Sequence, residues 1–199
     1  ASTESDTRSL HDALPISAVL LASILTATFL VAPSALAAGY AWTDQTAAGS
    51  HNWDAIAASS DGKDLAAVVD FNSIYTSTDY AASWTQQAGA GSQSFQGIAS
   101  SADGSHLVTV VSGGDIYTST DYGVNWTDQA SAGSRSWQAV ASSSDGKDLV
   151  TADYAGDIYT SADYGATWTD QTAAGAHQWS SVAEAADGTH IVAVDFSGD

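Results

Sequence analysis

The chain has 199 residues, no cysteine, no methionine and a formal charge of −19. Without cysteine it can have neither a disulfide framework nor thiolate chemistry. So acidic a surface repels phosphate backbones and anionic lipid headgroups, which argues against nucleic acid, or a membrane surface after signal cleavage, as a partner.

Residues 1–16 match nothing else in the chain and read as a non-native or disordered leader without chemistry. Residues 18–32 form an apolar run, followed by Pro33 and by Ala35-Leu36-Ala37. This predicts a signal peptide over residues 17–37, cleaved after Ala37. The run is short for a membrane span, which needs about 20 residues. The expected location is therefore secreted, extracellular or periplasmic. Beyond the leader and signal the only bases are Lys63, Arg135 and Lys147, and the acids are almost all Asp, a turn former.

Residues 38–199 repeat. Trp42, Trp84, Trp126 and Trp168 recur at a spacing of 42 residues. Trp53, Phe95, Trp137 and Trp179 keep the same spacing, as do the turns Asp61-Gly62, Asp103-Gly104, Asp145-Gly146 and Asp187-Gly188. The repeats run 42–83, 84–125, 126–167 and 168–199, the last cut short. In the second, strand-like runs start near Phe95, His106, Asp115 and Asn125. Four short strands at such a period predict an all-β propeller of four-stranded antiparallel blades. Trp137 to Ser143 is rich in small residues and suits the innermost strand, and residues 149–152 suit the second. Residues 39–45 align with the last strand of a blade. The chain is expected to be an incomplete fragment, with about three full blades and part of a fourth. Its open edges would allow self-association. No helix-period run occurs after residue 38.

Each repeat carries a strand, a tight turn and a tryptophan, as in residues 116–126. Ser119-x-Asp121-x-Gly123-x-x-Trp126 resembles the Asp-box of the bacterial neuraminidase repeat, as does Ser161-x-Asp163-x-Gly165-x-x-Trp168. Ser77-x-Asp79-x-Ala81-x-x-Trp84 departs from it at the glycine, which implies a distorted turn. The whole unit also resembles the blades of photosystem II assembly factors and of xyloglucanase-like glycosidases. In this motif the Asp can accept backbone hydrogen bonds, the Gly permits positive φ and the Trp supplies an apolar face. These residues are therefore expected to brace the hairpins rather than to bind a metal or act as acids. Calcium is the one cofactor to consider.

Alternating strand direction puts the Asp-Gly turns and Asp-boxes on one face. The other face carries the loops that differ most between repeats. It holds the candidate ligand-binding residues His51, Phe71, Arg135, Tyr154, His177 and Phe196. A constant frame with variable loops on one face predicts binding there, to a glycan or a protein. The sialidase resemblance implies an arginine cluster, yet Arg135 is the only Arg beyond residue 37. The alternatives are a glycoside hydrolase of sialidase or xyloglucanase type, with its catalytic residues in other blades, and a photosystem II assembly-factor-like chaperone. No catalytic residue is assigned. The chain has no phosphate loop and no nucleophile elbow.

Overall fold

In each repeat, short apolar runs alternate with turns that reverse the chain, so each run pairs with the one before it. The structure, a computed structural model, describes residues 44–196. The leader, the signal peptide and the strand around Trp42 lie outside the described residues. Residues from Gln45 onward form one compact unit.

Blade 1 consists of β1 (Trp53–Ala58), β2 (Leu65–Val69), β3 (Ile74–Ser77) and β4 (Thr85–Gln87), paired in that order. Blade 2 repeats it as β5 (Phe95–Ser100), β6 (Leu107–Gly114), β7 (Ile116–Ser119) and β8 (Thr127–Asp128). Blade 3 consists of β9 (Arg135–Ser142), β10 (Leu149–Asp153), β11 (Ile158–Ser161) and β12 (Thr169–Asp170). A fourth blade opens with the hairpin of β13 (Trp179–Glu184) and β14 (Ile191–Asp195). Every pairing is antiparallel. These are the expected propeller blades. Among the described residues there is no α-helix. Two 3-10 turns that the pattern did not predict, Ala130–Ala132 and Thr172–Ala174, lead from one blade to the next.

The core lies between blades rather than within them. A strand that alternates side chains shows one face to each neighbouring blade. Ala66, Val68 and Ile74 of blade 1 meet Phe95, Ile98 and Leu107 of blade 2. Their counterparts 42 positions on, Val108, Val110 and Ile116, meet Trp137 and Leu149 of blade 3. Val150, Ala152 and Ile158 then meet Trp179 and Val182. One packing solution is therefore used three times.

Backbone bonds tie the blades together at both ends. On the Asp-Gly side, Ser60 N–H donates to Ala102 C=O at 2.7 Å, Ala102 to Ser144 at 2.7 Å, and Ser144 to Ala186 at 2.8 Å. On the other side, Arg135 and Ser136 pair with Gly114 and Ser112, joining blades 2 and 3 into one hydrogen-bonded sheet. β9 therefore starts at Arg135, two residues earlier than the small-residue run suggests. Each inner strand also carries a register shift beside its first aromatic, at Trp53, Phe95, Trp137 and Trp179. Such bulges re-aim side chains at the rim of a sheet.

Candidate functional site

The two faces are built by different chemistry. On the first face, Ser119 Oγ donates to Asp121 Oδ1 at 2.9 Å and accepts from Gly123 N–H at 2.9 Å. Asp121 also accepts from Asn125 N–H at 2.8 Å and from its side chain at 2.6 Å. Trp126 Nε1 donates to Gly123 C=O at 2.8 Å, and its ring packs against the core between blades 1 and 2. Ser161, Asp163, Gly165 and Thr167 repeat the arrangement, and Trp168 packs against the next core. The hydrogen bonds from Ser, Asn and Thr hold the Asp79, Asp121 and Asp163 carboxyls below the usual carboxylate range.

The Ser77 copy corrects one expectation, because its turn is not distorted. Ser77 Oγ reaches Asp79 at 2.8 Å and Ala81 N–H reaches Ser77 at 3.0 Å. Tyr80 and Ala81 have φ of 61° and 68°, close to Tyr122 at 61° and Gly123 at 83°. In blade 2 a Cβ on Gly123 would meet Thr76 Cγ2 of the preceding blade at 2.8 Å. Ala81 is itself buried, at 9% exposure, and holds the same region of φ with its side chain in place.

The second face gathers some of the sequence candidates and leaves others apart. Tyr154 and Phe196 follow β10 and β14, and their rings meet edge to face at 6.0 Å, both exposed. Beside them, Arg135 faces Asp153 at 3.9 Å and lies 4.6 Å from the Tyr159 ring centroid. His177 Nδ1 lies 3.0 Å from Asp195 Oδ2, with its ring against Trp179. Tyr154 N–H donates to Ser136 C=O, His177 N–H to Gly156 C=O, and Trp179 Nε1 also to Gly156 C=O. The loops of blades 3 and 4 are thus tied together beneath the aromatic pair. The His51 ring meets Trp53 edge to face at 5.2 Å and lies tilted against Tyr75 at 4.9 Å, in blade 1. Phe71 is highly exposed at φ 53°, and its C=O accepts from Ser92 Oγ. Among the described residues no group of three or more His, Cys, Asp or Glu could hold a metal ion.

The family model described as BNR-Asp box repeat matches residues 116–129. The chain carries an Asp box. Among solved structures, the computationally designed Ika4 protein is similar with a TM-score of 0.58 at 13% identity, covering 76% of this chain and 89% of that one. YCF48 bound to D1 peptide is similar at 0.51 and 16%, covering 60% and 40%. The GH74 xyloglucanase from Xanthomonas campestris is similar at 0.50 and 18%, covering 66% and 24%. The chain spans less than half the length of these two relatives. At such identities the likeness shows the propeller fold alone. No curated protein sequence matches the chain significantly.

Beyond the Asp box, the structure shows a second Ser-x-Asp brace that the sequence reading missed. Ser59, Ser101 and Ser143 each donate to the Asp of the following Asp-Gly turn at 2.7 Å. Each also accepts a backbone N–H, from Asp64, His106 and Asp148. The signal was available, since a serine stands two residues before the Asp in the first three repeats. Glu184 was also missed. It takes the place held by Ser100 and Ser142, faces Asp148 and Asp145, and burial pushes its carboxyl up to about 7.

Proposed function

We propose that this chain is a secreted binding module that holds a glycan on its variable-loop face, with Tyr154 and Phe196 as the stacking surface. The exposed Tyr154–Phe196 pair carries this reading. Aromatic faces left in solvent suit the apolar face of a sugar ring. Asp153 and Asp195 are mostly buried, with side chains 14% and 7% exposed, and pair with Arg135 and His177, so they brace the loops that carry the two rings. The Asp-box face has no such role in this reading, because its carboxylates are occupied by hairpin hydrogen bonds.

A glycan array probed with the chain tests the proposal. Binding to at least one glycan class is expected, with affinity falling tenfold or more in Tyr154→Ala or Phe196→Ala. A chain that binds no glycan but captures a protein would replace the glycan with a protein partner, as in the chaperone reading. N-terminal sequencing of the protein recovered outside the cytoplasm tests secretion, and a first residue of Ala38 is expected.

A further inference from the structure

The register shift in each inner strand leaves one residue without a partner in the ladder: Asp54, Gln96, Gln138 and Ser180. A bulge leaves its extra residue unpaired and re-aims that side chain. The four positions lie near the variable-face ends of β1, β5, β9 and β13, which pack side by side. The bulges of blades 2 and 3 are pinned from behind. Thr109 Oγ1 donates to Gly97 C=O at 2.8 Å and Thr151 Oγ1 to Ala139 C=O at 2.8 Å, and both threonines are fully buried. Gly97 and Ala139 directly follow the two glutamines. A Cβ on Gly97 would lie 3.5 Å from Val140 N and 3.6 Å from Ala139 Cα, so the two strands approach here with no side chain between them. Gln96 and Gln138 therefore stand next to each other. Their amides, both half-buried, have bonding capacity to spare. Among the described residues Gln138 makes no side-chain hydrogen bond, and Gln96 donates only to the adjacent Phe95 C=O at 3.3 Å. The outer-strand glutamines differ, since Gln87, Gln129 and Gln171 each donate to a neighbouring threonine at 2.7 Å.

We propose that Gln96 and Gln138 form the polar part of the glycan site and select a neutral glycan, one that carries hydroxyls but no carboxylate or sulfate. This rests on the glycan reading above. Register places the pair beside the aromatic surface, because Trp137, next to Gln138, pairs with Asp153, next to Tyr154. Ring stacking does not distinguish one hydroxyl arrangement from another. A held amide does, because it offers donors to one oxygen and an acceptor to another hydroxyl. The pinned backbone lowers the ordering that binding requires. Charge sets the class of sugar. The bases beside the rings, Arg135 and His177, already face Asp153 and Asp195. An anionic sugar would also enter the field of a chain with formal charge −19.

Affinities of the chain for neutral oligosaccharides and for uronate-bearing or sulfated ones test this. Binding is expected to the neutral glycans. Gln96→Ala and Gln138→Ala should each weaken it about fivefold or more, the loss of one hydrogen bond to the ligand. Both should leave the urea midpoint unchanged, because neither amide ties one strand to another. Affinity within twofold in both variants, with Tyr154→Ala still abolishing binding, would overturn the inference and leave the stacking surface standing. A preference for the anionic glycans would overturn it as well. A fall in the urea midpoint of both glutamine variants would assign the amides to the fold instead. Absence of binding to any glycan would remove the stacking reading and this inference together.

Discussion

Ala81, Gly123 and Gly165 occupy one position in three turns, yet only Ala81 holds its positive φ with a side chain. The left-handed region costs a non-glycine residue about 1–2 kcal/mol. Ala81→Gly should therefore stabilise the chain by about 1 kcal/mol in urea denaturation. Gly123→Ala should cost about 1–3 kcal/mol, since it adds both that strain and a Cβ 2.8 Å from Thr76 Cγ2. Equal and opposite effects at the two positions would show that the preceding blade plays no part. Glu184 makes a second prediction. Its carboxyl titrates near 7 in the folded chain, against an ordinary value of 4.5, so folding favours its protonated form. The stability it contributes is complete below about pH 4.5 and is lost as pH rises through about 7. Glu184→Gln should raise the melting temperature at pH 8 and leave it nearly unchanged at pH 4. The turn carboxylates act in the opposite direction. Asp103, lowered to about 2 by its Ser101 and Ser105 hydrogen bonds, contributes stability above about pH 3.8 that is lost as pH falls towards 2.

At the scale of the hairpin, the Asp box closes on itself through its serine. Ser119 is buried, and its hydroxyl both donates and accepts within the turn. Ser119→Ala leaves Gly123 N–H without that partner and should cost about 1–3 kcal/mol by denaturant titration. A change below about 0.5 kcal/mol would mean the turn holds by backbone alone. The hairpins were the most legible part of the chain, because Ser, Asp, Gly and Trp at fixed offsets carry their own local chemistry. The strand positions were legible for the same reason, to within about two residues in β5 to β8. The ties between blades were not. Pairing of Gly114 with Arg135 and of Ser60 with Ala102 is made by backbone atoms, which every sequence has, so no residue type announces it. The Asp box of blade 1 was misjudged because alanine was not expected to reach the positive φ that the turn needs, and Ala81 does so at 68°.

For the whole molecule, the division into two faces follows from the meander. One face is fixed by Ser-x-Asp turns in blades 1 to 3, and the other is free to vary. The sequence could name Tyr154 and Phe196 as loop aromatics, but only the packing of blades 3 and 4 makes them a pair. It could not separate them from Phe71, which shares their kind of loop but stands apart in blade 1. Comparing substitutions on the two faces, scored by glycan-array signal, tests the account most directly. Tyr154→Ala and Phe196→Ala on the variable face should abolish the signal. Tyr122→Ala and Val124→Asp, exposed on the Asp-box face, should leave it within about twofold. Loss of the signal through Tyr122 or Val124, with Tyr154 and Phe196 dispensable, would contradict the account.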